Sequence, residues 1–158
     1  MQIRQAINAD IPSIMKLEQQ SATAGHWTEE QYRLAFQPEG ARRLVLVAEV
    51  PRFVPEATRV ETGPLGFLVA LHLPPEWELE NIVVAHAVRR KGIGKRLLGA
   101  LLAAAKETNS ASVFLEVRES NAAARTLYEA GGFEPTGRRQ SYYANPSEDA
   151  VLYRLTLP

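Results

Sequence analysis

Apolar and polar residues alternate over MQIRQA, a period of two that predicts a first strand. The period then lengthens. Ile11, Ile14 and Leu17 fall roughly on one helical face, Asp10 stands where a cap is needed and Pro12 occupies the tolerated first turn, so a helix is expected here. Thr28 and Gln31 in HWTEEQYRLAF have the spacing of a capping box, with Glu29 and Glu30 near the positive helix end, and predict a second short helix. The runs RRLVLVAEV, GPLGFLVALHL and EWELENIVV are rich in β-formers and separated by Pro, Gly and charged residues; they read as consecutive strands of an antiparallel meander. Between the first two, Pro51 to Thr62 is expected to be an exposed loop.

Farther along, Leu97, Leu98, Leu101, Leu102 and Ala105 form a stripe at helical spacing. ASVFLEVRE is then a strand, SNAAARTLYEAGG a helix opened by Ser or Asn and stopped by glycine, and EDAVLYRLTL a closing strand. A strand-helix-strand passage sets its flanking strands parallel, so the pattern predicts a mixed sheet with helices on its faces.

Composition narrows the possibilities. The 158 residues, 46% of them hydrophobic, suffice for one compact domain spanning 1–158. Lys plus Arg and Asp plus Glu are equal at 18 each, so no global field favours nucleic acid or an anionic membrane, and charge-driven binding must be local. The absence of cysteine excludes a thiol nucleophile, a cysteine zinc site and a disulfide framework. MQIRQAINAD lacks the pattern of a signal peptide and no apolar run reaches the ~20 residues of a membrane helix, so a soluble, cytoplasmic protein is expected. No histidine has metal-ligand company, and no metal is expected.

One local concentration of charge stands out. NIVVAHAVRRKGIGKRLL runs from a β-branched segment through a basic, glycine-punctuated turn into the Leu stripe. A helix start leaves backbone N–H groups unpaired and concentrates partial positive charge, which suits phosphate oxygens. Gly92 and Gly94 clear side chains from that backbone while Arg89, Arg90, Lys91 and Lys95 surround it. A diphosphate fits both features. A solvated basic helix start, with the glycines serving only the turn, is the alternative. A Walker loop does not fit, because Arg89 stands where glycine is needed and Arg96 follows Lys95 where Ser or Thr is needed; the dinucleotide fingerprint fails at Leu97.

Arg89, Gly92 and Gly94 after a strand and before a helix match R/Q-x-x-G-x-G/A, and LEVRESNAAARTLYEAGGFEP and GRRQSYY follow in order. On these residues the chain resembles the GNAT-type N-acetyltransferase superfamily, most of all its bacterial ribosomal-protein-alanine branch. The resemblance implies an α+β fold with a central mixed, mostly antiparallel sheet flanked by about four helices, and acetyl-coenzyme A as co-substrate. By carry-over, the backbone of Ile82, Val83 and Val84 would pair with pantetheine, whose strand separates there from its parallel neighbour. The amides from Arg90 through Lys91, Gly92, Ile93 and Gly94 to Lys95 would take the diphosphate beside Arg89. Asn121 would cap its helix and also touch the coenzyme. Tyr128 would be the acid for the departing thiolate and Glu116 the base, acting through water, with Glu80 and Glu78 as alternatives. Each has a structural reading as well: Tyr128 as a core aromatic, Glu116 as an ion-pair partner of Arg118, and Glu76, Glu78 and Glu80 as edge charges that discourage aggregation.

The resemblance also implies an acceptor channel around His26, Trp27 and RRQSYYANP, where Tyr142 and Tyr143 would line it. The acceptor would be a primary amine, foremost a protein N-terminus: an α-amine with pKa near ~7.8 is neutral far more often at pH 7 than a lysine near ~10.4, so a modest base serves it. A small amine such as a polyamine, aminoglycoside or amino acid is the alternative, as is a non-catalytic acyl-coenzyme A-binding regulatory domain. The chain departs from the branch at His86 and Ala87, where Asp-Pro is frequent, and at Arg89, where glutamine is frequent; His86 reads as an exposed turn residue.

Overall fold

The computed structural model describes residues 1–37, 42–50 and 63–158. The expected loop at Pro51 to Thr62 lies outside them. In chain order the elements are β1 (Gln2–Gln5), α1 (Ile11–Gln19), α2 (Glu29–Ala35), β2 (Arg43–Glu49), β3 (Gly66–Leu73), β4 (Glu76–Val84), α3 (Ile93–Glu107), β5 (Ser112–Arg118), α4 (Ala122–Ala130), β6 (Glu134–Tyr143) and β7 (Glu148–Thr156). The strands form one sheet in the order β1-β2-β3-β4-β5-β7-β6, in which, among the described residues, only the β4/β5 pair is parallel.

The hydrophobic pattern explains the two layers of helices. Along β2, Leu44, Leu46 and Ala48 pack on one face with Leu97, Leu101 and Leu115, while Val45 and Val47 pack on the other with Ile14, Tyr32 and Phe67. Thus α3 and α4 cover one side of the sheet and α1 and α2 the other. Thr28 and Gln31 make the expected capping box: the Gln31 N–H donates to Thr28 Oγ1 at 3.2 Å and the Thr28 N–H to Gln31 Oε1 at 2.8 Å. Asp10 stands at the N-cap position of α1, but its carboxylate accepts from the Ile7 N–H at 2.8 Å and from Arg4 at 2.7 Å, tying the helix start to β1.

Two features differ from expectation. β6 is a strand that the pattern does not predict, because it is a sheet edge exposed along almost its whole length and lacks an alternating code. Its presence also reverses the geometry expected after β5: the chain returns through β6, so the closing strand β7 lies antiparallel to β5.

A β-bulge marks β4. Val69 pairs with Asn81 and Ala70 with Leu79, which leaves Glu80 as an extra residue. The extra residue shifts the side-chain phase. Trp77 and Leu79 before it and Ile82 and Val84 after it all pack on the α3 side, while Val83 packs on the α1 side.

Candidate active site

β4 and β5 pair only from Glu76–Ser112 to Leu79–Leu115, after which both strands continue without pairing to each other. β3 binds the far edge of β4. The Ala85 N–H donates to Leu65 O at 2.9 Å, and alternation then turns the peptide groups of Val83 toward β3 and those of Ile82 and Val84 toward the gap. Arg89 Nε donates to the Val84 carbonyl at 3.2 Å. The helices that follow the two strands, α3 and α4, both begin at this separating end, so their N-termini flank one crevice.

The α3 mouth is built from two glycines with different tasks. Gly92 is its N-cap residue at φ +79, and a Cβ there would meet nothing within 4 Å, so it supplies left-handed backbone and an open face. A Cβ on Gly94 would lie 3.2 Å from Leu127 Cδ2, so its smallness serves the close approach of α4. Arg90 also takes a positive φ of 64. The first intrahelical bond runs from the Arg96 N–H to Gly92 O at 3.1 Å, leaving the amides of Ile93, Gly94 and Lys95 ahead of it in the first turn. Arg89, Arg90, Lys91 and Lys95 are exposed around them. This donor set fits a diphosphate, and the alternating peptide groups of Ile82 and Val84 fit an extended amide chain. His86 lies in an exposed helical turn of residues 86–88.

Alongside the gap lies a cleft of about 630 Å³, lined among others by His26, Glu80, Asn81, Ile82, Glu116, Asn121, Tyr128, Tyr142 and Tyr143. Trp27 does not line it but packs against the core on the α1 side, with the Arg43 guanidinium 5.2 Å over its ring. Asn121 caps α4, accepting from the Ala124 N–H at 3.2 Å. Tyr128, 5% exposed, packs its ring against Phe133 and Tyr153, while its hydroxyl meets no partner among the described residues and burial holds its pKa well above the ordinary range. The core and the cleft therefore share this side chain.

The acidic residues are distinguished by their partners. Glu116 pairs with Arg139 Nε of β6 at 2.8 Å, not with Arg118, which reaches Glu148 at 3.4 Å and stacks on Tyr143 at 4.4 Å. A hydrogen bond to Glu116 raises the pKa of Tyr142, and burial followed by the charge of Glu116 pushes Tyr143 up to about 12. Glu80 is held by both Nε (2.8 Å) and Nη2 (3.1 Å) of Arg43. Glu78 has no hydrogen bond or ion pair among the described residues, and burial, then Glu80 and Glu116, raise its carboxyl above the ordinary range. It does not line the cleft. Glu76 is engaged elsewhere, by Arg154 and Ser112.

Sequence reasoning singled out none of four residues of this region, Arg43, Arg139, Glu18 and Asn81, although Arg139 falls within the RRQSYYANP stretch. The signal for Glu18 was present, since it follows Ile11 and Ile14 on the apolar stripe of α1 and is 1% exposed. Arg139 carried none, because its register against β5 passes through two strand pairings. Among the described residues no group of His, Asp and Glu could hold a metal ion, and no helix is long and apolar enough to cross a membrane.

A family model described as Acetyltransferase (GNAT) family matches residues 11–133. The chain belongs to that family. By this membership it is an N-acetyltransferase domain, and GNAT enzymes take the acetyl group from acetyl-coenzyme A. The seven-stranded mixed sheet and four helices of the described residues are the GNAT fold. A relative named [Ribosomal protein bS18]-alanine N-acetyltransferase, from Salmonella typhimurium, is 31% identical over 94% of this chain and 92% of its own length. The crystal structure of the ribosomal-protein-S18-alanine N-acetyltransferase from Escherichia coli superposes with a TM-score of 0.75 at 29% identity, covering 98% of this chain and 92% of that one. An uncharacterized protein of Mycobacterium leprae is 45% identical over 58% of this chain, and the match spans only 25% of that longer protein.

Proposed function

We propose that the domain moves an acetyl group from acetyl-coenzyme A directly to the N-terminal α-amine of a protein, within a ternary complex of the ribosomal-protein-alanine type. The observation that carries this reading is the unpaired β4 edge running from an acid-lined cleft to the bare amides of the α3 mouth. The coenzyme supplies a thioester-activated acetyl group. Ile82 and Val84 offer main-chain donors and acceptors along its amide arm, with Val83 holding the strand to β3. The amides from Arg90 to Lys95 and the Arg89 guanidinium take its diphosphate, and the Asn121 amide borders the same crevice. Tyr128 donates a proton to the leaving sulfur: its raised pKa keeps the hydroxyl protonated, and no group among the described residues competes for it.

Glu116 is the base, relaying the amine proton through water, since it is the acidic residue of β5 that lines the cleft. Arg139 shields it until the acceptor's own cation takes that place. Glu80 is committed to Arg43 and Glu78 does not line the cleft, so they stand as the alternatives. Tyr142 and Tyr143 form the acceptor wall opposite the His26 and Trp27 loop. Support for a protein acceptor comes from the two full-length relatives, whose names specify a ribosomal-protein alanine. A mass-spectrometric screen with acetyl-coenzyme A, comparing alanine-led peptides with polyamines, aminoglycosides and amino acids, tests it. Acetylation of peptides at the α-amine is expected; acetylation of small amines alone would overturn the acceptor assignment, and coenzyme binding without any turnover would overturn the activity.

A further inference from the structure

The α1 carboxylate of Glu18 is buried at 1% exposure and accepts three hydrogen bonds from three parts of the chain. The Trp27 N–H donates to Oε2 at 2.9 Å, while the Tyr32 hydroxyl and Asn81 Nδ2 each donate to Oε1 at 2.8 Å. It therefore ties the loop between α1 and α2, and α2 itself, to β4. The tie also has a direction. A carboxylate only accepts, so it draws the amide end of Asn81 inward and turns the carbonyl end away.

Asn81 is 7% exposed and lines the cleft between Glu80 and Ile82. Its Oδ1 receives no hydrogen bond from the described residues. No buried side-chain oxygen or nitrogen among them lacks a partner, so the unbonded Oδ1 is not sealed in the core, and it belongs to a residue that lines the cleft. An acceptor atom fixed there has a use that a third carboxylate would not serve. A neutral oxygen can take an N–H of an incoming amine and aim its lone pair while favouring the protonated, unreactive form less than a negative charge would.

Resting on the acetyltransferase reading above, we propose that Asn81 is an acceptor-binding residue, its Oδ1 accepting an N–H of the primary amine, and that Glu18 is a positioning residue that sets the Asn81 amide. Asn81→Ala removes the oxygen. Glu18→Gln, of nearly the same shape, presents N–H donors toward Asn81 and lets its amide turn the other way. With acetyl-coenzyme A and an alanine-led hexapeptide, each variant is expected to lower kcat/KM for the peptide by roughly tenfold, mainly through KM. The calorimetric Kd for acetyl-coenzyme A should stay within about twofold, and the double variant should lose no more than Asn81→Ala alone.

Additive losses, or an unchanged peptide KM in both variants, would overturn the proposal. So would a parallel collapse of coenzyme affinity, which would mark Glu18 as a fold tie only. Tyr32→Phe keeps the Glu18–Asn81 contact and should leave the peptide KM within about threefold; a larger effect than that of Asn81→Ala would also overturn it. A parent protein that acetylates no peptide defeats the proposed function, whereas an active parent with indifferent variants defeats this inference alone.

Discussion

The α3 mouth makes a quantitative prediction that separates shape from charge. Gly92 sits at φ +79 with open space where a Cβ would project. Asn and Asp have nearly equal volume and tolerate left-handed backbone better than other residues with side chains. Gly92→Asn and Gly92→Asp should therefore share a backbone cost of about 1 kcal/mol, or about 2 to 4 °C in Tm for a chain of this size. They differ in charge. At a separation of about 5 Å and an effective dielectric between about 20 and 80, a carboxylate and one unit of phosphate charge repel by roughly 0.8 to 3.3 kcal/mol. The Asp variant should thus bind acetyl-coenzyme A roughly four-fold to 250-fold more weakly than the Asn variant, and the ratio should shrink when salt is raised from about 0.01 M to about 1 M, as the screening length falls from about 30 Å to about 3 Å. Calorimetric titration at the two salt concentrations measures both effects. Equal affinities for Asn and Asp, or a ratio indifferent to salt, would refute the placement of phosphate at this helix mouth.

Tyr128→Phe should leave coenzyme affinity and Tm nearly unchanged, because the lost hydroxyl has no partner among the described residues, while kcat falls by roughly 10²-fold; pre-steady-state thiol release measures it, and an unaltered kcat would confine Tyr128 to packing. The raised carboxyl of Glu78 means that the folded chain holds this proton more tightly than the unfolded one, so the stability it contributes is present below the ordinary carboxylate pKa and is lost as pH rises through the folded value. Glu78→Gln should accordingly raise Tm at pH 7 and leave it unchanged below about pH 4, and a Tm gain that grows toward low pH would contradict the sign. Leu101→Ala, at a fully buried position of α3, should cost about 2 to 5 kcal/mol in denaturant unfolding; a loss under about 1 kcal/mol would mean that α3 is not anchored by its Leu stripe.

The residues that carried a period were legible and those that depend on partners were not. Leu97, Leu98, Leu101 and Ala105 announce α3 because all four are buried on one face, and Thr28 with Gln31 announces α2 because its cap is local. β6 was silent: with both of its faces exposed, nothing selects alternate apolar positions. Glu116 was legible as a candidate, yet its partner was not, since Arg139 reaches it only after the chain has passed through α4 and folded β6 against β7. The phase shift at Glu80 was hidden for a related reason, because a bulge is a property of the β3 pairing.

The short β4/β5 ladder makes the sheet two leaves joined at one end, with β1 to β4 on one leaf and β5, β7 and β6 on the other. Four rungs, Glu76–Ser112 to Leu79–Leu115, carry the hydrogen-bonded continuity between them. Any extended molecule that threads amides along the free β4 rim supplies rungs the polypeptide itself omits, so loading completes the architecture. Rigidity at the open end is thereby lent by the guest, and amide exchange at Ile82 and Val84 should slow when it arrives, then quicken again when it leaves.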